Sequence, residues 1–425
     1  MTDTPALPDF RNPETLRAHI RRTMAFYHPR CIDPAGGFFH YFKDDGTVYD
    51  ASHRHLVSST RFVFNYAMAA SEFADDPALR NEYLQAARHG LAYLREKHYD
   101  PVSGGYVWTI RDGVPEDTSQ QCYGAAFVLL AYSTGLKAGI QQARAWMGEV
   151  WDLLEARYWE PPHGLYRDEA TRDWVFSDYR GQNANMHMCE AMLAAYEASG
   201  ERRYLDRALL LADHMTRRQA DLADGLVWEH YDRDWNVDWD FHRDDPRHLF
   251  KPWGYQPGHQ TEWAKLLLIL DGHLRAAGEP RDWLVPKARA LFDEALAKSW
   301  DEEFGGMVYG FAPERLRAPG VEGRTLADGE TFVCDEDKYF WVQAESIATA
   351  ARLAKATGDD SYWQWYARLW EYAWKHMIDH RYGAWYRLLD RQNRKYSDEK
   401  SPAGKTDYHT MGACHDVLAV LRSHV

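Results

Sequence analysis

Two stretches of the chain set a histidine three residues before a glutamate at the head of an apolar run: "HMCEAMLAAY", with His187 and Glu190, and "HQTEWAKLLLIL", with His259 and Glu262. A third histidine, His409, heads "HTMGACHDVLAV". Residues three apart on a helix share a face. Each glutamate can therefore hold an imidazole N–H and fix which ring nitrogen is left to accept a proton, with contact to a substrate hydroxyl as the alternative role. Neutral imidazoles suit proton transfer near neutral pH, and a helix N-terminus disfavours the imidazolium, keeping a base ready. Arg61, in "SSTRFVFNYA", stands where another apolar helix begins. It reads either as a surface salt-bridge partner or as a cation for a developing oxyanion. Such a set serves removal of a proton next to a carbonyl, which on a sugar passes through an enediol. Trp341, Gln343, Glu345 and Asp335, in "CDEDKYFWVQAES", complete it as expected ligand-contacting groups.

Any one of the 20 histidines would be read as a structural imidazole. Three at matching positions on comparable segments favour a functional site, because polar groups gathered in a cleft cost stability. The same donors suit a divalent ion by type. The zinc-protease spacing H-E-x-x-H is nevertheless absent, and the di-iron bundle order is Glu-x-x-His rather than the His-x-x-Glu found here. No P-loop or GxGxxG follows a strand. The expectation is a site that uses no metal and no cofactor.

The elements that must carry these residues repeat. An aromatic-glycine stretch occurs six times: "GGFFHYFKDDG" from Gly36, "GGYVWTIRDG" from Gly104, "HGLYRDEATRDW" from His163, "DGLVWEHYDRDW" from Asp224, "GGMVYGFAPE" from Gly305 and "YGAWYRLLDRQN" from Tyr382. Each reads as a tight glycine turn feeding a short strand or hairpin. Between copies lie two helical patterns. One is amphipathic, as in 81–99 with Leu84, Ala87, Leu91 and Leu94 on one face. The other is apolar nearly all round, as in "YGAAFVLLAY", and belongs inside.

Helices are expected near 13–30, 54–72, 79–98, 118–137, 140–157, 182–198, 201–218, 256–276, 280–298, 336–356, 359–378 and 406–423. Twelve helices alternating wet and buried predict an all-α chain: one (α/α)6 barrel over residues 1–425, with short β-hairpin elements in the connecting loops. If the even-numbered helices form the inner ring, their polar first turns surround one mouth. That mouth holds Arg61, His187, Glu190, His259, Glu262, Trp341, Gln343, Glu345 and His409.

Composition fits this reading. The 425 residues are 45% hydrophobic and 27% charged, with 18 Trp, 26 Tyr and 17 Phe to fill a core and line a ring-shaped ligand. A net charge of −14 argues against nucleic-acid or anionic-membrane partners. No apolar run reaches membrane-spanning length, and the N-terminus lacks a secretory pattern, so a cytoplasmic location is expected. Five scattered cysteines without CxxC spacing suggest reduced core thiols. Monomer and homodimer are equally compatible with the sequence.

The segments "NMHMCEAMLAAYE", "FKPWGYQPGHQTEWAKLLL", "DKYFWVQAES" and "KTDYHTMGACHDV" resemble, in order, the signature stretches of the N-acylglucosamine 2-epimerase superfamily. That group includes 2-epimerases, cellobiose 2-epimerases and aldose–ketose isomerases of the mannose or sulfoquinovose type, on an (α/α)6 barrel. The resemblance is end to end. It implies that His259 and His409 are the two acid/base histidines, His187 a third active-site histidine, Glu262 the glutamate paired with the first, and Arg61 the arginine of the second helix. Trp341 and its neighbours match the aromatic motif lining the pocket. The run 235–263 is similar to the extended loop of the mannose isomerases, and "HTMGAC" lacks the arginine that many epimerases carry after the last histidine.

The implied activity is interconversion of D-mannose, or relatives such as D-lyxose, with the ketose through a cis-enediol. His259 would open the ring and serve the carbonyl oxygen with Glu262 tuning it, His409 would move the proton from C2 to C1, and Arg61 and His187 would hold the enediolate. Return of the proton to C2 from the opposite face would instead give a 2-epimerase. A glycoside hydrolase using carboxylates such as Glu190, Glu262, Glu345 and Asp335, or a non-catalytic sugar-binding protein, are the other readings.

Overall fold

The computed structural model describes residues 5–317 and 330–422 and contains, among them, twelve α-helices: α1 (Pro13–Tyr27), α2 (Leu56–Glu72), α3 (Pro77–Tyr93), α4 (Cys122–Lys137), α5 (Ala143–Leu153), α6 (Gln182–Ser199), α7 (Arg202–Asp213), α8 (Pro257–Ala276), α9 (Leu284–Ser299), α10 (Phe340–Thr357), α11 (Ser361–Tyr372) and α12 (Tyr408–Arg422). The even-numbered helices pack in sequence, α2 on α4, α6, α8, α10 and α12, and α12 returns to α2 and closes the ring. Each odd-numbered helix leans on its inner neighbours from outside. This is the expected (α/α)6 barrel, and the difference in burial explains the order. In α4 and α8 nearly every residue is buried, whereas α7 buries only Tyr204, Leu205, Ala208, Leu211 and Ala212 along one stripe.

The inner helices begin later than the apolar pattern suggests. The expected 118–137 starts at Cys122, and 336–356 at Phe340, because Gln120–Gln121 and Lys338–Tyr339 are strands. Several outer helices end early and widen into π-helical turns, as at Leu94–His98 and Leu154–Tyr158. The last helix runs to Arg422, and residue 423 of its expected span lies outside the described residues.

The hairpins exist, but their pairing also stitches successive repeats together. The lead-in His53–His55 pairs with Thr109–Arg111 of the next repeat, Arg180–Gly181 with His230–Tyr231, and Lys338–Tyr339 with Leu388–Leu389. Turn glycines make this possible: Gly306, at φ +78°, also leaves no room for a Cβ against the Tyr372 ring.

Inner helices grip the hairpins through amides. Asn185 on α6 bonds both N–H and C=O of Tyr166 (2.8 and 3.1 Å), Gln260 on α8 does the same to Val227 (3.0 and 2.8 Å), and Gln343 on α10 to Met307 (3.0 and 2.8 Å). Each amide replaces the ladder partner that an isolated strand lacks. Buried ion pairs add a second fastening, including Arg54–Asp33 (2.7 Å) and Lys400–Asp379 (2.6 Å). These contacts fasten the rim that carries the site.

Candidate active site

A cleft of about 110 Å³ at the N-terminal ends of the inner helices is lined by Arg61, Tyr123, Asn183, His187, His259, Trp341, Arg387 and His409, among others. It gathers residues from all six inner helices. A side pocket of about 60 Å³ continues it past Tyr123, Asn183 and Phe250 toward Trp108, Asp168 and Lys251. Trp341 lies between two of the histidines, its ring centroid 4.9 Å from that of His259 and 5.6 Å from that of His409. Gly258 is what lets it approach: a Cβ there would meet the Trp341 ring at 2.3 Å.

Each of the three histidines gives its Nδ1 to a carboxylate, at 2.9 Å for His187–Glu190, 2.9 Å for His259–Glu229 and 2.7 Å for His409–Glu345. This arrangement reserves Nε2 for the cleft. The Glu190 pairing matches the expectation from H-x-x-E spacing; the Glu262 pairing does not form. Glu229, from the fourth hairpin, reaches His259 first. The Gln182 amide nitrogen lies 2.9 Å from both Glu229 Oε2 and His259 Nδ1. Because the Trp263 indole N–H donates to Gln182 Oε1 (2.8 Å), that nitrogen is a donor, and it belongs to the carboxylate.

Glu262 instead points to the barrel axis, 3.9 Å from His187 Nδ1, fully buried, with neither oxygen hydrogen-bonded among the described residues. Burial first, then the neighbouring Glu345 charge, pushes its pKa well above the carboxylate range. Burial works the same way on Glu190, but the His187 bond, Lys265 and the Tyr408 hydroxyl outweigh it and hold Glu190 near 2. Three close carboxylates cannot all ionise; Glu262, with no donor on it, carries the proton. Burial, reinforced by Arg61, His187 and Lys265, keeps His409 neutral, and burial likewise lowers His187.

Arg61 is 5% exposed, its guanidinium bonded to the Gly404 carbonyl and to the Tyr123 hydroxyl (3.1 Å). It lies over the Phe127 and Tyr408 rings at 4.4 and 4.7 Å. The surface salt-bridge reading is excluded by this burial. The Gly404 segment is itself anchored: Asp407, at φ +53°, accepts from the backbone N–H of Trp385 (3.2 Å) and from the Tyr27 hydroxyl (2.6 Å), and so aims the first turn of α12.

Four of the expected ligand-contacting residues fall outside the cleft. Glu190 and Glu345 stand behind His187 and His409 as their carboxylate partners. Gln343 is the fully buried hairpin clamp to Met307, its amide consumed by backbone groups. Asp335 accepts from the Asp337 N–H (3.0 Å) and faces Arg247 at 3.8 Å, tethering the extended loop. That loop brings Leu249, Phe250 and Pro252 over the cleft, with Phe250 stacked on His55.

Residues the sequence reading passed over include Glu229, Asn183, Tyr123, Arg387 and Lys265. Lys265 offered a signal, as the one basic residue inside "EWAKLLLIL". Two groups have donors close enough for a cation, His187–Glu190–Glu262 and Glu262–Glu345–His409, each with ligand atoms within 4.8 Å of one another. In both, the histidine Nδ1 is already held by a carboxylate, and the Lys265 ammonium lies 2.5 Å from Glu345, supplying the positive charge an ion would bring. The arrangement as it stands suits proton transfer: two imidazoles, each with Nδ1 held by a carboxylate, flank one cleft, with a guanidinium beside them.

The family model for N-acylglucosamine 2-epimerase matches residues 37–413. A D-mannose isomerase of Marinomonas mediterranea is 54% identical over 418 residues, covering 97% of this chain and 99% of the relative. A D-mannose isomerase of Thermobifida fusca is 35% identical over 72% of this chain and 71% of its own length. A crystal structure of a D-mannose isomerase superposes with a TM-score of 0.89 at 53% identity, covering 97% and 99% of the two chains.

Proposed function

The chain belongs to the N-acylglucosamine 2-epimerase family, and from that premise we propose that it is an aldose–ketose isomerase interconverting D-mannose with D-fructose. The observation that carries the reading is the pair His259 and His409, each with Nδ1 occupied by a buried glutamate and each lining one small cleft across Trp341. Identity to a D-mannose isomerase over nearly the full length of both chains supports the same substrate.

In the proposed reaction His259 Nε2 assists ring opening and moves a proton at the carbonyl oxygen. His409 Nε2 takes the C2 proton and returns it to C1, so that the C1=O bond becomes C–OH as C2–OH becomes C=O. Arg61 lies against the developing enediolate oxygens, where a fixed donor is worth several kcal/mol, about 3 by analogy with oxyanion holes. Glu229 and Glu345 hold the imidazolium that forms at each step. The Leu249–Phe250–Pro252 segment over the cleft excludes water from the enediol. No step uses a metal, and we place the enzyme in the cytoplasm: no helix among the described residues is long and apolar enough to cross a membrane, and the five cysteines are free.

The test is an aldose panel containing D-mannose, D-lyxose and D-glucose, with ketose and C2 epimer scored separately before and after dialysis against a chelator. Ketose from mannose, undiminished by the chelator, is the expected result. A C2 epimer as main product moves the enzyme to the epimerase reading, and activity restored by one added ion overturns the metal-free scheme. His259→Asn and His409→Asn are expected to lower turnover by about 10²- to 10⁴-fold each, with unaltered melting curves.

A further inference from the structure

We propose that Lys265 is a positioning residue for His409: by ion-pairing with the buried Glu345 carboxylate it keeps the His409 proton on Nδ1 and leaves Nε2 open to the cleft. The inference rests on the reading of His409 as the base at C2.

The two oxygens of Glu345 are divided between these partners. Oε1 lies 2.7 Å from His409 Nδ1 and Oε2 lies 2.5 Å from Lys265 Nζ, with Glu345 2% and Lys265 4% exposed. Lys265 sits on α8, two turns beyond His259, and interrupts a helix that is otherwise apolar along this stretch. The charged and titratable groups around it and His409 are Arg61 from α2, His187 and Glu190 from α6, Glu262 from α8, Glu345 from α10, and Tyr408 and Asp416 from α12. Asp416 lies 3.9 Å from Lys265 Nζ and is itself paired with Arg352.

Burial alone drives Glu345 toward its neutral form, and Lys265 is the first opposing influence on it. A neutral Glu345 is a hydroxyl donor. A carboxylate can only accept and so holds His409 as Nδ1–H, whereas a neutral carboxyl keeps one acceptor oxygen but can turn its hydroxyl to Nδ1, which moves the His409 proton to Nε2, where a base must have none. The ammonium thus decides the tautomer from the far side of the carboxylate. Burial also works against the ammonium, but Glu345 and Asp416 outweigh it, so the lysine stays charged.

The second cavity of the barrel bears on the same residue. It measures about 190 Å³, lies below the cleft, and is lined by Lys265, Glu345 and His409 together with Lys137, Arg352 and Ala419 near the C-terminal ends of the inner helices. A small cation can therefore reach the position of Nζ from the end of the barrel opposite the substrate.

The experiment is Lys265→Met, which keeps chain length and volume but not charge. His409 is read by ¹⁵N NMR of the imidazole, alongside kcat, KM and their pH profiles. In the native protein the neutral ring is expected as Nδ1–H. In the variant it is expected as Nε2–H, with kcat lower by about 10²-fold, KM within about threefold, and the acid limb of kcat/KM moved to higher pH because Glu345 must now ionise unaided. Methylammonium is expected to return the ring to Nδ1–H and recover part of kcat. Retention of Nδ1–H in folded Lys265→Met, with the acid limb unmoved, overturns the proposal; Lys265→Gln serves the same measurement if the methionine variant does not fold. The NMR reading needs no substrate, so its failure is distinct from a failure of native enzyme to isomerise mannose.

Discussion

Glu229→Gln exchanges one oxygen for an amide nitrogen at constant shape. In the native site Glu229 is 3% exposed, its Oε1 accepting from His259 and its Oε2 from Gln182, each at 2.9 Å. Gln182 cannot turn to adapt, since the Trp263 indole N–H occupies its oxygen. The new glutamine therefore has one acceptor for two donors. If its oxygen stays on Gln182, its NH₂ faces His259 and forces the ring proton onto Nε2, toward the cleft. If its oxygen turns to His259, two NH₂ groups meet in a dry pocket. Either outcome removes a charge-assisted hydrogen bond worth about 1.5–3 kcal/mol. The carboxylate matters most when the ring is protonated in turnover, so the loss falls on kcat, at about 10- to 150-fold. Because Glu229 does not line the cleft, KM for mannose should move by less than about threefold. Initial rates of ketose formation over a mannose concentration series, with a melting curve for each protein, measure both. A kcat within twofold of native, beside an inactive His259→Asn, would refute the assignment of the His259 tautomer to Glu229.

Arg61→Lys keeps the charge but loses the fork between the Gly404 carbonyl and the Tyr123 hydroxyl; kcat should fall by about 10- to 100-fold, and a native kcat would remove Arg61 from the chemistry. Gln343→Ala should leave kcat/KM of the folded protein unchanged while costing about 2–5 kcal/mol in denaturant unfolding, because two buried backbone groups of Met307 lose their partner. Burial holds His19, His98 and His415 near pKa 4 and His55 and His230 near 3, below the ordinary 6.5. The unfolded chain takes up these protons before the folded one does, so stability is full above about pH 6.5 and falls toward pH 4, by up to about 1.4 kcal/mol per pH unit for each histidine. Urea unfolding across that window measures the slope, and a flat profile contradicts the buried neutral imidazoles.

The barrel was legible because burial patterns are local. A helix buried all round must be inside, an amphipathic one outside, and six glycine-aromatic turns count the repeats; none of this needs a long-range distance. The mouth was legible for the same reason: Arg61, His187, His259, Trp341 and His409 break apolar segments at equivalent places, and all five line the cleft. Gln343 breaks its segment too, yet it serves the Met307 hairpin, and polarity at a helix head does not distinguish a ligand contact from a backbone clamp.

The partnerships were decided in three dimensions. His187 and Glu190 are neighbours on one helix, and spacing alone brought them together. His259 and Glu262 have the same spacing, but a hairpin carboxylate 30 residues away occupies the imidazole, and Glu262 is left to the axis. His409 meets a glutamate on α10 that is held by a lysine on α8. The sequence by itself determined the barrel and brought Arg61, His187, His259, Trp341 and His409 to the mouth, through periodicity and apolar burial. Only the tertiary structure decided which carboxylate sits on which ring nitrogen, because that depends on ångström-scale distances between separate segments, to which hydrogen bonding and buried charge respond steeply and hydrophobic patterning not at all.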